Sequence, residues 1–203
     1  MKKNFTLPRI TLLVAISALL GSLLTFSAVS PPAGDTFDYD LVATNKTSTF
    51  RKELNQAAEE GFRFMRAMGG STSFGGTEMV AILSRPRGAS EHQYEYKILA
   101  TTKTGTMKKE LNREGEDGWT FVGHTSKKAA FRGREVISVL ERPIGGAEPT
   151  PWEYRLLATK KTSTMRKELR QAAEEGYEFL DMIITKGSFA GSEVISILRR
   201  PRM

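Results

Sequence analysis

The stretch Phe37-Asp38-Tyr39-Asp40-Leu41-Val42-Ala43-Thr44 returns as Tyr94-Glu95-Tyr96-Lys97-Ile98-Leu99-Ala100-Thr101. It returns again as Trp152-Glu153-Tyr154-Arg155-Leu156-Leu157-Ala158-Thr159, at spacings of 57 and 58 residues. A fixed period of this size marks tandem copies of one supersecondary unit. The copies close in step, at Arg85-Pro86, Arg142-Pro143 and Arg200-Pro201, and short turn-rich connectors join them, Gly88 to Gln93 and Ile144 to Pro151. The resulting boundaries are 37–88, 94–145 and 152–203 for three modules, 31–36 for a lead-in, and 1–30 for an N-terminal segment.

Within each copy the hydrophobic period changes. Tyr94, Tyr96, Ile98 and Ala100 alternate with Glu95, Lys97, Leu99 and Thr101, which predicts a strand with one apolar face. Phe50, Leu54, Ala57 and Ala58 then follow helical spacing, as do Met165, Leu169, Ala172 and Ala173, placing four side chains on one helix face. Thr49, Thr106 and Thr164 are the expected N-caps, and Gly61, Gly118 and Gly176 the expected left-handed residues ending the helices. An aromatic strand follows, with Phe62 and Phe64, Trp119 and Phe121, or Tyr177 and Phe179; a loop then carries Phe74, Phe131 or Phe189. Val136-Ile137-Ser138-Val139-Leu140 and Val194-Ile195-Ser196-Ile197-Leu198 lack alternation, so the last strand is buried on both sides and belongs at the centre of its sheet. The closing prolines remove a ladder donor and stop it.

The expected fold is α+β: three tandem β-α-β-β modules, each a small, mostly antiparallel three-stranded sheet with one helix on one face, packed together. A module of about 50 residues is marginal alone. The three are therefore expected to share buried surface, a pseudo-threefold arrangement being one way to do so. The loop phenylalanines are expected to fold back onto their module or plug a neighbour.

Copy two resembles the small bacterial domain-of-unknown-function family 4177. The resemblance rests on Tyr94-Glu95-Tyr96-Lys97-Ile98-Leu99, on Leu111-Asn112 with Gly115-Glu116-Asp117-Gly118-Trp119, and on Leu140-Glu141-Arg142-Pro143. Copies one and three depart from it at Phe62 and Tyr177 in place of Trp119, and at alanines where the family has a mid-helix glycine. The resemblance implies a small α+β module and no known activity, so it brings no functional residues with it.

Composition is that of an ordinary globular protein, 39% hydrophobic and 26% charged. The formal charge is +7, but without Lys2, Lys3 and Arg9 the balance is 27 basic against 23 acidic residues, or +4. That is too little for the concentrated basic stripe that nucleic-acid binding needs. Lys2 and Lys3, the apolar run from Ile10 to Phe26, and small residues at Ser27, Ala28 and Ser30 read as a secretory signal. The apolar run also approaches the roughly 20 residues that span a bilayer, so a cleaved signal and a retained anchor both remain open. Either places the folded part outside the cytoplasm, and the membrane is engaged only through this segment. With no cysteine, disulfides, thiolate metal sites and lipidated-cysteine anchors are excluded.

Enzymatic readings find little support in the sequence. Of two histidines, His92 lies in a connector and His124 in copy two only, so neither a metal cluster nor a histidine-paired nucleophile is proposed. The recurring pairs Glu59-Glu60, Glu116-Asp117 and Glu174-Glu175 are adjacent helix residues about 100° apart, which cannot flank one bond. Gly69-Gly70-Ser71-Thr72-Ser73-Phe74-Gly75-Gly76 lacks the lysine of a phosphate loop and reads as a flexible hairpin loop.

One pattern breaks a local rule in all three copies. Arg51-Lys52, Lys108-Lys109 and Arg166-Lys167 stand in the first helical turn, and acids stand in the last, against the helix dipole. Three explanations are open. The helix starts could bind an anion, with Lys46, Lys103 and Lys161 adding to the six first-turn cations. The acidic end of one helix could pair with the basic start of another. Solvent screening could make the pattern nearly free. The functional expectation is a non-catalytic exported repeat protein with a binding or structural role, an envelope component being the partner class and no cofactor being implied. The alternative is a binder of an anionic ligand or envelope glycan at the helix N-termini.

Overall fold

The computed structural model describes residues 36–72, 76–128, 134–145, 148–186 and 192–202. Module 1 contains β1 (Phe37–Thr44), α1 (Thr47–Glu59), β2 (Arg63–Thr72) and β3 (Gly76–Pro86). Module 2 contains β4 (Tyr94–Thr101), α2 (Thr104–Glu116), β5 (Thr120–Lys128) and β6 (Arg134–Pro143). Module 3 contains β7 (Trp152–Thr159), α3 (Thr162–Glu174), β8 (Glu178–Lys186) and β9 (Ser192–Pro201).

Each module is a three-stranded antiparallel sheet with its last strand in the middle, ordered β1-β3-β2, β4-β6-β5 and β7-β9-β8. The central position follows from composition: Val136 to Leu140 and Ile195 to Leu198 are buried without interruption, which only a strand covered on both faces allows. The ladders end at Pro86, Pro143 and Pro201, paired with Phe37, Tyr94 and Trp152. All three second strands carry a bulge at the same place, between Phe64 and Arg66, Phe121 and Gly123, and Phe179 and Asp181. A bulge re-aims the side chains that follow it.

The helices end as their glycines predict. Gly61, Gly118 and Gly176 have φ of 87°, 79° and 81°. The following residue returns a bond to the helix: Phe62 N–H to Ala57 O, Trp119 N–H to Glu114 O, and Tyr177 N–H to Ala172 O. Each glycine N–H also bonds a helix carbonyl, Gly61 to Ala58 O, Gly118 to Gly115 O and Gly176 to Ala173 O, and this two-bond closure requires the left-handed residue. The starts differ from expectation. The N-cap residues are Lys46, Lys103 and Lys161, without a side-chain cap, and Thr49, Thr106 and Thr164 lie inside the first turn. The hydroxyls of Thr44, Thr101 and Thr159 instead accept from the N–H groups of the three lysines, fixing the approach of the chain. Gly69 to Thr72 also differ, forming the end of β2 and not a loop. Phe74, Phe131 and Phe189 lie outside the described residues.

The modules do share cores, in a serial manner. α1 packs on its own β1 and on β4 of the next module, and α2 on its own β4 and on β7. One core accordingly joins Phe50, Leu54, Ala57, Ala58 and Phe64 of module 1 to Tyr96, Ile137 and Val139 of module 2. A second joins Met107, Leu111, Trp119 and Phe121 to Tyr154, Ile183 and Ile197 of module 3. The third is small: on α3 only Ala172 is buried, and Phe179 is 49% exposed where Phe64 and Phe121 are buried, since no first strand of another module packs on α3 among the described residues. At the opposite end Tyr39 and Leu41 are 69% and 56% exposed. Among the described residues α3 makes no matching contact with β1, so the three modules are stacked in an open series and not closed around a threefold axis.

Candidate functional site

The joint between modules is the most elaborated feature of the chain. In β4, Tyr96 turns away from its own helix and enters module 1, 3% exposed. Its hydroxyl accepts from Phe64 N–H at 2.8 Å and donates to Glu141 Oε2 at 3.0 Å. Arg63 holds the same carboxylate with Nη2 at 2.7 Å and Nε at 3.1 Å. Burial, then the Glu141 charge, pushes the Tyr96 phenol well above its ordinary value, so it stays a donor throughout the physiological range. The bond to Glu141 likewise raises the Arg63 guanidinium.

The backbone of the same tyrosine is gripped from the helix. Asn55 donates from Nδ2 to Tyr96 O and accepts from Tyr96 N–H with Oδ1, both at 2.9 Å. β4 is an edge strand, and one carboxamide satisfies its open peptide as a neighbouring strand would. The second joint repeats the device. Asn112 bonds Tyr154 O at 2.9 Å and Tyr154 N–H at 3.0 Å, while the Tyr154 hydroxyl accepts from Phe121 N–H and donates to Trp119 O. Space for the approach comes from Gly115: a Cβ there would stand 2.5 Å from Trp152 O and 2.8 Å from the Tyr154 ring.

The residues of the Gly–Trp block meet each other. Trp119 is 4% exposed, with Lys97 and Arg142 each 4.5 Å from its ring centre. Arg142 also bonds Glu95, and Lys97 bonds the buried Glu114. Desolvation would raise the Glu114 carboxyl, but Lys97 and Arg113 outweigh it and hold it below its usual range. Tyr177 repeats the arrangement between Arg155 and Arg200. This block is therefore scaffold: its cations stack on aromatic faces and pair with acids of the same module.

A one-off cluster lies where β2, β5 and β8 converge. His124 Nδ1 is 2.9 Å from Asp181 Oδ2, linking modules 2 and 3 beside Arg66 of module 1. Burial would raise Asp181, but the His124 bond, the Met182 N–H and the charges of His124 and Arg66 hold it low. The cavity here is about 240 Å³, lined by Met65, Met68, Thr125 and Ser126 among others. A carboxylate orienting a histidine is half of a nucleophile-activating arrangement. Among the described residues, no hydroxyl bonds the other ring nitrogen, and no group of three or more metal-ligating side chains occurs. Asp181 escaped the sequence reading because its partner lies 57 residues away in a different module.

The nine candidate anion-site cations do not converge. Lys103 and Lys109 line a cleft of about 590 Å³ at the start of α2, with Thr102, Thr104, Thr106 and, from module 3, Glu193. Thr104 Oγ1 bonds Glu193 at 3.3 Å, so this cleft already contains a carboxylate. Arg166 and Lys167 line a separate shallow groove along α3 with Arg170 and Glu174. Lys46, Arg51, Lys52, Lys108 and Lys161 are exposed. Among the described residues, none of the nine forms an ion pair within 4.0 Å, which overturns pairing between the acidic end of one helix and the basic start of another. Two acids at helix ends pair elsewhere: Glu116 with Arg202, just past β9 of the next module, and Glu175 with Arg155 within β7 at 2.5 Å.

No protein family, curated protein or solved structure matches this chain. No helix among the described residues is long and apolar enough to cross a membrane.

Proposed function

We propose that the chain is a non-catalytic, exported repeat protein of the cell envelope with a structural or binding role. The observation that supports this best is the use made of the repeated side chains. The joint tyrosines, the helix asparagines, the aromatic after each helix-ending glycine and its flanking arginines all serve cores and joints. A residue used in this way in successive copies is accounted for by the scaffold, whereas a catalytic constellation would have to be a separate, convergent set. Cell fractionation followed by intact-mass measurement on natively purified protein tests the location. The reading expects the protein in envelope, periplasmic or secreted fractions, cleaved near residue 30 or anchored. Accumulation of the full-length chain in the cytosol overturns it.

The cleft at the start of α2 favours a second reading, binding of an anionic group by Lys103, Lys109 and the unpaired amides of the first turn. Isothermal titration with inorganic phosphate and with an anionic glycan tests it. Binding that disappears in Lys103→Gln/Lys109→Gln with folding intact would support this reading. Binding unaffected by those changes, or no heat with either ligand, would remove it.

A further inference from the structure

We propose that the two ends of the module series bind each other between molecules, so that the exposed β1 face of one copy docks on the α3 face of a second copy. This rests on the structural side of the function proposed above. It is read in purified protein, and so stands or falls independently of where the protein resides.

The occupant is specified by continuity with the two joints inside the chain. Each joint places a tyrosine of a first strand against the preceding helix: Tyr96 on α1, Tyr154 on α2. Tyr39 is the third tyrosine of that series and stands 69% exposed, with Leu41 56% exposed two residues on and Phe37 43% exposed two residues before. The receiving half is equally available. α3 repeats α1 over Thr162–Glu174 with two changes, Met165 for Phe50 and Arg170 for Asn55. Its Met165 and Leu169 are only partly buried, Ala173 is exposed, and Phe179 is 49% exposed. An alanine at the Ala173 position is compatible with a joint, because Ala58 occupies the same place at the first one and is 1% exposed.

The exchange of Asn55 and Asn112 for Arg170 is matched on the other end. An acid precedes the tyrosine in all three copies, Asp38, Glu95 and Glu153, but β4 and β7 follow it with Lys97 and Arg155 where β1 has Asp40. A cation on the helix is thus matched to a strand whose residue after the tyrosine is the acid Asp40, where a neutral amide served strands with a cation at that place. Arg170 can still donate to a strand carbonyl, and its guanidinium suits carboxylates. Glu116 also meets Arg202 at the second joint, and the corresponding residues at the ends are Glu174 and Arg87; Arg87 pairs with Asp38 of its own module at 3.4 Å and is 64% exposed, so it can be shared with a second carboxylate. Because the two surfaces differ, the contact is heterologous, and repetition gives open chains of copies or a ring.

Sedimentation velocity on the natively purified full chain, from roughly micromolar to millimolar concentration, tests the proposal. The expected result is a concentration-dependent rise to dimers and larger species. Tyr39→Asp/Leu41→Asp alters only exposed side chains and should abolish association while the circular dichroism spectrum stays native. Arg170→Asp should weaken association at least about tenfold, the factor that accompanies about 1.4 kcal/mol. A wild-type chain monomeric throughout overturns the proposal. So does association that persists unchanged in either variant.

Discussion

The repeated tyrosine permits one internally controlled perturbation: Tyr→Phe at positions 39, 96 and 154, the same site in three copies of one module. Phenylalanine keeps the ring and removes only the hydroxyl. At position 96 the lost oxygen accepts the Phe64 N–H, and at position 154 the Phe121 N–H, each inside a closed core. A buried donor left without an acceptor costs about 1–3 kcal/mol. At position 96 the Glu141 carboxylate also loses a donor but keeps Arg63. At position 39 the side chain is 69% exposed, and surface changes of this kind stay within about 0.5 kcal/mol. Urea denaturation in dilute solution measures the difference. With a slope of about 2 kcal/mol/M for a protein of this size, a cost of 2 kcal/mol moves the midpoint by about 1 M. The expected order is Tyr39→Phe near wild type, and Tyr96→Phe and Tyr154→Phe both lower by about 0.5–1.5 M. Equal effects at all three positions would show that the tyrosine serves its own module and not the joint. Losses below about 0.5 kcal/mol at 96 and 154 would refute the hydrogen-bond argument itself.

Three further outcomes are expected. Asn112→Ala strips both bonds from the Tyr154 peptide and should cost about 1–3 kcal/mol by the same measurement, whereas Arg170→Ala at the equivalent position on α3 should change little. Asp181 and Glu114 are held below their ordinary values of 3.8 and 4.5, so they stabilise the fold above those values and lose that contribution as pH falls through the lower folded values. Midpoints measured from pH 7 downward should hold to about pH 5 and then drop, less so in Asp181→Asn and Glu114→Gln; a flat profile into strong acid contradicts this. Ser138 and Ser196 are buried on the central strands with no partner for their hydroxyls among the described residues, and module 1 carries Ala81 at that position. Ser138→Ala should leave stability equal or raise it by up to about 1 kcal/mol, and a clear loss would mean that the hydroxyl is bonded.

Much of the module was legible in the sequence because its signals are local. An uninterrupted apolar strand, a proline after it and a glycine at each helix end set strand order and helix length without tertiary information. The errors arise where two local options are equivalent, or where a distant partner decides. Each helix opens on Thr-Ser-Thr or Thr-Gly-Thr, so hydroxyls stand at three or two candidate positions, and the Thr44-type residue before the helix takes over part of the capping task. Alternation in β4 predicts one apolar face, but Tyr96 and Leu99 are buried on opposite faces. One meets the preceding helix and the other its own, and alternation does not reveal the first of these. The joint asparagines looked like ordinary polar helix residues. The available signal is that copies one and two share Asn55 and Asn112 while copy three has Arg170, and only the first two helices receive the strand of another module among the described residues. His124 and Asp181 carried no such signal, since they occur once each, on strands brought together only by stacking.

Modules joined through shared cores must unfold as one body. Equilibrium urea denaturation of residues 36–203, followed in parallel by far-ultraviolet circular dichroism and by the fluorescence of Trp119 and Trp152, tests this directly. The first probe reports all three modules, and the second reports modules 2 and 3 alone. Shared cores predict a single transition with the same midpoint and slope by both probes. A circular dichroism curve with a separate step, or midpoints that differ between the probes, would show modules folding independently and would contradict the account.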